Sequence, residues 1–339
     1  MNAATSWRLG QRPALDGLRG VAVLLVVGQH AGVPFMERAG GAGVTLFFVL
    51  SGFLITTLLL EERQRTGRIN LVAFYVRRAR RLLPALAVFL LAAFVVFGIA
   101  PHVIAAIAAY VANWLFAIND QTRPIVHTWT LSIEEQFYVL WPLLLIGIGR
   151  VPVRVLAVGA FVALFAVSGM RIDSALAGDD WHWTMFATHL RADAILAGCA
   201  LAFAFAFGST QLPRWWLVVA IGGLAVAAVV SDFRFHVTAA IPLAIVASVV
   251  AVSEGATRDY RVLTWRPLVY VGTISYGLYL WHLPIIEAIG EDSWITMLGA
   301  VALSVAVAAV SHRYIERRFL RRAPVPTVWG GRPAPASHR

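Results

Sequence analysis

The stretch RPALDGLRGVAVLLVVGQHAGVP, residues 12–34, places two ionisable side chains in an otherwise apolar segment. Arg19 and His30 are eleven residues apart, and at ~100° and ~1.5 Å per residue they share one helix face, ~16 Å apart along its axis. The hydrocarbon core of a bilayer is ~30 Å thick, so with Arg19 at one edge we expect His30 near the middle. An ionisable group there is costly unless it lines a polar cavity or has a partner. His30 is therefore the candidate chemical centre, and Arg19 begins the path that leads to it.

The composition is that of a membrane protein. Of the 339 residues, 59% are hydrophobic and 14% are charged, whereas a soluble domain carries about 25% charged residues. Apolar runs recur from end to end, separated by short breaks of Gly, Pro and charged residues. The predicted fold class is all-α, a polytopic membrane protein with about ten transmembrane helices. We expect these helices at 15–34, 43–60, 82–101, 129–149, 155–170, 190–207, 215–231, 237–252, 268–289 and 294–312.

The apolar segment 103–118 is short. Asn113 interrupts it, and Asn119 directly follows its last residue. We expect a re-entrant or interfacial helix there rather than a span. The positive-inside rule supports this interpretation, because a span at this point would put the Arg-rich C-terminal region on the wrong side. Without that span, all arginines but five fall on the cytoplasmic side, and the five are Arg38, Arg123, Arg171, Arg191 and Arg234.

This topology predicts a multi-pass protein of the cell membrane with both termini in the cytoplasm. Residues 1–322 then form one integral membrane domain. Residues 323–339 are rich in Pro, Gly and small side chains, which predicts a flexible cytoplasmic tail. No heptad or small-residue pattern stands out, so the oligomeric state stays open.

The formal net charge of +10 comes from arginine, since the chain has no lysine. The arginines cluster in the breaks between apolar runs, which favours cytoplasmic loops and phosphate-bearing ligands over nucleic acid. We expect residues 61–81 to form such a loop, which ends in RRARR. Within it, Arg78 and Arg81 are three residues apart and can bind a phosphate such as those of coenzyme A. Anchoring at the membrane edge explains much of the same cluster.

The segment HTWTLSIEEQFYVLWP, residues 127–142, brings polar side chains to the start of a membrane helix. Glu134 and Tyr138 are four residues apart and share a face, and Ser132 is a further candidate for the site. A glutamate facing an imidazole can orient its tautomer and stabilise its protonated form, which makes Glu134 the candidate partner of His30. Helix capping is a sufficient explanation for Glu135.

Two further segments supply candidate lining residues. In ISYGLYLWHLP, residues 274–284, Ser275, Tyr279 and His282 recur at i, i+4 and i+7 on one face, although aromatic residues also mark membrane interfaces. His282 is the second candidate for the base. In FFVLSGFL, residues 47–54, Ser51 offers a hydroxyl and Gly52 a close backbone approach, for which helix packing is an equally good explanation.

Taken together and in this order, RPALDGLRG with the following His, FFVLSGFLI, FYVRRARRLLP, HTWTLSIEEQFYVLWP and SYGLYLWHLP resemble the acyltransferase-3 family of integral membrane O-acyltransferases. The resemblance covers nearly the whole chain, to about Arg318. It implies transfer of an acyl group, often acetyl, from acyl-CoA to a hydroxyl, commonly on a sugar, and the family includes enzymes that acylate macrolide antibiotics. The family's Arg and His of the first helix fall on Arg19 and His30. The chain departs from the family at Thr130, where Ser is usual, but the hydroxyl is kept.

The resemblance also places the family's paired arginines on Arg78 and Arg81, and the glutamate of its SxE segment on Glu134. Many relatives carry an additional esterase-like domain that this sequence lacks, so we expect no relay onto a second domain of the same chain. The expected enzyme uses an acyl-CoA as its co-substrate, and acetyl-CoA is the donor that we expect. It needs no metal. The acceptor is expected to be a sugar, a cell-surface glycan or a glycosylated or macrolide metabolite.

In this interpretation Arg19, Arg78 and Arg81 hold the acyl-CoA phosphates, and the pantetheine arm reaches towards His30. His30 acts either as general base on the acceptor hydroxyl or as the group that first accepts the acyl chain. The residues expected to line the site are Ser51, Ser132, Tyr138, Tyr279 and His282. The alternative is a proton-coupled transporter or exporter of a sugar or lipid-linked intermediate, with His and Glu as its proton relay.

Overall fold

The computed structural model describes residues 8–118, 123–149, 151–208, 212–229, 232–290 and 293–320, and these are helical without a strand. The predicted tail 323–339 lies outside the described residues. The α-helices are α1 Pro13–His30, α2 Ala39–Thr66, α3 Leu71–Val95, α4 Pro101–Ala108, α5 Ala112–Ala117, α6 Trp129–Gly147, α7 Val153–Ala177, α8 Trp181–Phe186, α9 Thr188–Arg191, α10 Asp193–Phe207, α11 Trp215–Val229, α12 Phe233–Phe235, α13 Ile241–Thr257, α14 Arg266–Thr273, α15 Ser275–Ile289, α16 Trp294–Ser311 and α17 Arg317–Leu320. A 3₁₀ turn, Val126–Thr128, precedes α6, and π-helical turns at His236–Ala240 and His312–Glu316 join α12 to α13 and α16 to α17.

Four continuous helices in the described part of the chain are long and apolar enough to cross a membrane: Ala39–Thr66, Val153–Ala177, Phe233–Thr257 and Trp294–Leu320. The count of about ten spans stays a prediction. Helices α1, α3 and α6 are not among the four, and each carries charged side chains that line the cavity described below. Charged side chains that line a polar interior lower the mean hydropathy of their helix. A hydropathy criterion therefore passes over such helices.

Several helix boundaries differ from the predicted ones, and α2 continues to Thr66, into the segment 61–81 predicted as a loop. Helix α1 ends at His30 rather than continuing to residue 34, and Gly32 follows with a positive φ of 67°. His30 therefore lies at the end of its helix. Helix α3 begins at Leu71, well before the expected residue 82, because the Asn70 side chain caps it by accepting a hydrogen bond from the Ala73 backbone N–H at 3.0 Å. The RRARR cluster is thus helical and does not lie in a loop.

Three predicted single elements are each split in the structure, and the predicted helix 190–207 is divided at Ala192 between α9 and α10. Segment 103–118 forms α4 and α5, separated near Tyr110, whose φ is +56°. At ~1.5 Å per residue neither short helix can cross a ~30 Å hydrocarbon layer, which agrees with the expectation that this segment does not span. Segment 268–289 forms α14 and α15, which meet at Ile274.

Helices α1 and α2 run antiparallel at the centre of the bundle. The Leu9 N–H donates to Glu61 at 2.6 Å near one end, and the Gly40 N–H donates to Gln29 at 2.9 Å near the other. In each helix that could cross a membrane, we compare how much of an apolar stretch of 18 residues is buried inside the protein. The buried share is 78% in α2, 11% in α7 and 22% in the continuous helix Trp294–Leu320, which contains α16. The apolar outer faces of α7 and α16 are those expected of helices that contact lipid.

Helix α1 also contacts α14 backbone to backbone. A Cβ on Gly272 would overlap the Asp16 carbonyl oxygen, and a Cβ on Gly17 would overlap the carbonyl oxygen of Leu263 in the turn that leads into α14. The absence of side chains lets the two main chains touch. This contact fixes α1, with Arg19 and His30, against the segment that leads into α15.

Candidate active site

A cavity of about 980 Å³, including its open mouth, lies between α1, α2, α3, α6 and α15. It brings together side chains that are far apart in the sequence. Of the predicted site residues it takes in Arg19, Ser51, Arg78, Arg81, Glu134, Tyr138 and Tyr279. His30, Ser132 and His282 are not among its lining residues.

The arginines predicted to hold the donor line one cavity. Arg78 and Arg81 are one turn apart on α3, and Arg81 is within electrostatic range of Arg19 on α1. The Arg78 guanidinium lies 3.4 Å from the centre of the Tyr138 ring and 3.3 Å from Glu135, while its Nε is buried and finds no hydrogen-bond partner in the part of the chain that the structure describes. Three guanidinium groups around one cavity, with a donor left unused, suit a ligand that carries several negative charges.

The sequence suggested that Glu135 caps a helix, but the structure gives it a different role. It is the seventh residue of α6, whose first turn carries no acidic residue, and it forms an ion pair with Arg78 across the cavity. Sequence reasoning missed this role because the pairing depends on how α3 packs against α6. The adjacent Glu134 belongs to the same cavity wall but has a different partner.

The Glu134 carboxylate is held by a short chain of hydroxyls. Ser51 Oγ donates to Glu134 Oε1 at 2.6 Å, and the Tyr138 hydroxyl donates to Ser51 Oγ at 2.7 Å. Gly52, next to Ser51, has a purely structural contact, since a Cβ there would overlap the Ile195 carbonyl oxygen of α10. The sequence left open whether Ser51 and Gly52 serve the site or helix packing. In the structure Ser51 belongs to the site and Gly52 to the packing of α2 against α10.

Ser132 does not face the cavity, although it was predicted to line the site. The residues of α6 that line the cavity, from Thr130 to Tyr138, fall within an arc of ~140° at ~100° per residue. Ser132 lies ~200° from Thr130, outside that arc. Its hydroxyl donates instead at 3.4 Å to the carbonyl of Thr128, in the 3₁₀ turn that leads into α6.

One face of α15 connects the cavity to His30. Ser275 accepts a hydrogen bond from Arg19 Nη2 at 3.3 Å, and Tyr279, one turn further, lines the cavity. His282, at the end of the same stripe, lies with its Nε2 3.1 Å from His30 Nδ1. Arg19 and His30 therefore both contact α15, as their common helix face predicted.

The contacts of His282 determine which nitrogen of His30 carries a proton. His282 Nδ1 lies 2.8 Å from the Tyr279 carbonyl oxygen and 3.2 Å from that of Leu278. A carbonyl can only accept, so Nδ1 carries the proton and Nε2 of a neutral His282 is an acceptor. His30 Nδ1 is then the donor of the bond between the two rings, which leaves His30 Nε2 as the basic nitrogen.

His30 therefore has a partner other than the predicted one. Glu134 bonds to Ser51 inside the cavity, and His282 contacts His30. Tyr279 stands between the two groups, because it lines the cavity and its ring centre is 5.5 Å from that of His282. The local sequence could not reveal this arrangement, which depends on the packing of α1 against α15.

Thr130 and His127 complete the surroundings of Tyr279. The Tyr279 hydroxyl accepts from Thr130 Oγ1 at 2.7 Å and donates to the His127 carbonyl at 3.0 Å. The His127 ring is 2% exposed, its centre is 5.0 Å from that of His282, and its Nε2 bonds to the Leu280 carbonyl. Thr130 thus keeps a use for its hydroxyl at the position where Ser is usual in the family that the sequence resembles.

Comparison with known proteins gives a family for this arrangement. The family model of the acyltransferase-3 group, described as an acyltransferase domain, matches residues 12–312. The chain belongs to the acyltransferase-3 family. The match takes in every residue of the cavity and also His30, His127 and His282 beyond it.

Curated relatives are named as O-acetyltransferases. The chain is 32% identical to the peptidoglycan O-acetyltransferase OatA of Listeria monocytogenes, over 93% of this chain and 57% of the relative. It is 32% identical to the O-acetyltransferase OatA of Staphylococcus aureus, over 90% of this chain and 56% of the relative. A putative O-acetyltransferase of Staphylococcus aureus is 30% identical over 91% and 57%. The chain thus spans a little over half the length of these relatives, and no solved structure matches it.

Proposed function

We propose that this member of the acyltransferase-3 family transfers an acetyl group from acetyl-CoA to a hydroxyl of a sugar or cell-surface glycan. The observation that carries the proposal is the polar face of α15, along which Ser275 contacts Arg19 and His282 contacts His30. The names of the relatives support acetyl as the acyl group, and one of them supports a cell-wall glycan as the acceptor. Family membership favours the enzyme over the transporter considered above.

The arginine-lined cavity is the proposed donor site. Arg19, Arg78 and Arg81 supply planar cations suited to the phosphates of coenzyme A, and the unpaired Arg78 Nε is a donor for one of them. Glu135 keeps Arg78 in place through its ion pair. The pantetheine arm then follows the α15 face, and the thioester approaches His30 beside the Tyr279 ring.

His30 is the proposed general base. Its Nε2 takes the proton from the acceptor hydroxyl while the hydroxyl oxygen attacks the thioester carbonyl carbon. The new C–O bond forms, the C–S bond breaks, and the proton passes from His30 to the departing coenzyme A thiolate. General base catalysis of this kind contributes typically ~10²–10⁴-fold in rate. His282 is a positioning residue, because its acceptor nitrogen holds the proton of His30 on Nδ1.

His30→Ala tests this role directly. We expect loss of acetyl transfer, measured with the protein in proteoliposomes as thiol release from acetyl-CoA together with radiolabelled product from a panel of hydroxyl acceptors. Size-exclusion chromatography in detergent reports whether the variant is folded. Transfer at the wild-type rate by a folded His30→Ala protein would remove His30 from the mechanism. Sugar flux without thioester consumption would support a transporter.

The double variant Arg78→Gln/Arg81→Gln tests the donor site. We expect a rise in KM for acetyl-CoA and little change in KM for the acceptor. Arg77→Gln is the matched control, because Arg77 lies on the same helix but pairs with Glu62 at 3.7 Å and does not line the cavity. An unchanged KM for acetyl-CoA in the double variant would contradict the assignment of this cavity to the donor.

A further inference from the structure

A second basic cluster lies outside the cavity, in the buried region where α7, α9, α10 and the π-helical turn after α12 meet. It consists of Arg171, Arg191, Asp193 and His236, whose side chains are 0%, 2%, 1% and 4% exposed. Both arginines of the cluster, Arg171 and Arg191, are among the five that the predicted topology put on the side opposite the cytoplasm. Two guanidinium groups and one carboxylate leave this buried cluster with an excess of positive charge.

The one carboxylate of the cluster is already engaged. Asp193 Oδ2 accepts from Arg171 Nη2 at 2.7 Å and Nε at 3.1 Å, and from Ser168 Oγ at 3.2 Å. Asp193 Oδ1 accepts from the Ala194 N–H at 2.9 Å. Arg171 Nη1 donates to the Val237 carbonyl, so Arg171 and Asp193 form a pair with bonds on both sides.

Arg191 is left without a hydrogen-bonded anion. Its Nε and Nη1 are buried and have no hydrogen-bond partner among the described residues, although the Trp129 ring covers one face of the guanidinium at 5.6 Å. His236 Nδ1 is likewise buried without a partner, and the His236 ring is within electrostatic range of Arg38, Arg171 and Arg191. A buried guanidinium without a paired anion is strongly unfavourable, so unpaired donors at this point indicate a site for an anionic group.

The cluster lies at the same end of the bundle as His30. His236 contacts the first turn of α2, since a Cβ on Gly41 would be 3.0 Å from His236 Nε2. The neighbouring Gly40 donates to Gln29, the residue before His30. The donor arginines Arg78 and Arg81 line the cavity described above, and no residue of the cluster is among its lining residues.

We propose that Arg191, with His236, binds an acidic group of the hydroxyl acceptor, a carboxylate or a phosphate on a sugar. The inference rests on the proposed acyl transfer for the identity of the ligand as the acceptor. The anion site itself follows from the unpaired donors. A planar guanidinium with free N–H groups recognises either oxyanion, and Arg171 with Asp193 forms the rigid support beside it.

The test is thermal unfolding of the full-length protein in non-ionic detergent at constant ionic strength. The probes are glucuronate, glucose 1-phosphate and the neutral sugar glucose. We expect one or both anionic sugars at saturating concentration to raise the unfolding temperature by about 2 °C or more, and glucose to have no effect. A shift with glucuronate alone assigns the site to a carboxylate, and one with glucose 1-phosphate alone to a phosphate.

Variants assign the shift to this cluster and not to the donor cavity. Arg191→Met should remove the shift and should unfold at or above the wild-type temperature without ligand, because it removes an unpaired buried charge. Arg171→Met is the matched control at equal burial and should unfold at a lower temperature, because it breaks the pair with Asp193. In Arg78→Gln/Arg81→Gln the shift should persist.

Three results of the ligand titrations would overturn the proposal. They are the absence of a shift with both anionic sugars, a shift that survives in Arg191→Met, and a shift lost in the donor-cavity double variant. Destabilisation of Arg191→Met comparable to that of Arg171→Met would also overturn it, since the charge would then be balanced within the protein. Arg191→Lys, which keeps the charge, provides a folded variant for the same comparison. No readout uses acetyl-CoA, so failure of the proposed acyl transfer would leave these results unchanged.

Discussion

Replacement of His282 by phenylalanine separates the orientation of His30 from the filling of space. Phenylalanine keeps an aromatic ring at this fully buried position but removes the acceptor that lies 3.1 Å from His30 Nδ1. The Nδ1–H of the half-buried His30 then loses this acceptor, which costs about 1–3 kcal/mol. When this cost raises the activation free energy of the step in which His30 takes the proton, kcat falls by about 5- to 150-fold, since 1.36 kcal/mol is tenfold in rate.

The assay is thiol release from acetyl-CoA in proteoliposomes, with kcat and KM determined separately. We expect kcat to fall in His282→Phe while KM for acetyl-CoA stays near the wild-type value. His282→Gln can present an amide oxygen to His30 Nδ1, so it should recover part of the loss. His127→Phe removes a neighbouring buried ring that bonds to a backbone carbonyl and not to His30, and its effect should fall on the yield of folded protein. Wild-type kcat in His282→Phe, or equal losses of kcat in the Phe and Gln variants, would refute the orienting role.

Two further pairs of substitutions test the site and its frame. Ser51→Ala removes the donor to Glu134 and should lower kcat/KM about ten- to a hundredfold, whereas Ser132→Ala should stay within about twofold because its hydroxyl bonds to the turn before its own helix, away from the cavity. Equal losses in both would contradict the assignment of the α6 faces. Gly272→Ala should destabilise the protein by about 1–3 kcal/mol or more, measured as resistance to heat or denaturant, because the added methyl overlaps a carbonyl. The exposed Gly299, with nothing within 4 Å of its Cβ position, should accept alanine with a gain of about 0.5–1 kcal/mol, and a Gly272→Ala protein as stable as wild type would show that α1 and α14 do not touch as described.

Much of the site could be predicted because its residues recur at helical spacing. The eleven-residue interval between Arg19 and His30 places both on the face that contacts α15, and the i, i+3 interval places Arg78 and Arg81 in one cavity. Local periodicity determines which residues of one helix point the same way. These predictions needed no knowledge of which helices are neighbours.

The rest depends on contacts between distant segments. The assignment of Glu134 to His30 came from the chemistry of the two groups, whereas the packing of α2 against α6 puts Ser51 next to that carboxylate. Ser132 was placed in the site by its segment and not by its angle on the helix. The lack of a hydrogen-bonded anion at Arg191 is likewise invisible in the sequence, since it depends on Arg171, Ser168 and the Ala194 N–H already occupying both oxygens of Asp193.

Charge density misled the prediction of α3. A run of arginines lowers hydropathy and looks like a loop between spans, yet arginine, leucine and alanine all favour helix, and Asn70 supplies the cap. The break at Tyr110 and the break at Ile274 involve no Pro or Gly at the break itself. Neither break therefore had a local signal by which it could be predicted.

The glycine contact between α1 and α14 has a consequence for genetics. A side chain at Gly17 or Gly272 forces one helix away from the other, and α1 carries Arg19 near one end and His30 at the other. A random screen for inactive alleles should therefore recover changes at these two glycines, with defects that resemble those of the two polar residues themselves. Such alleles would be misassigned to catalysis if they were mapped without regard to which main chains touch.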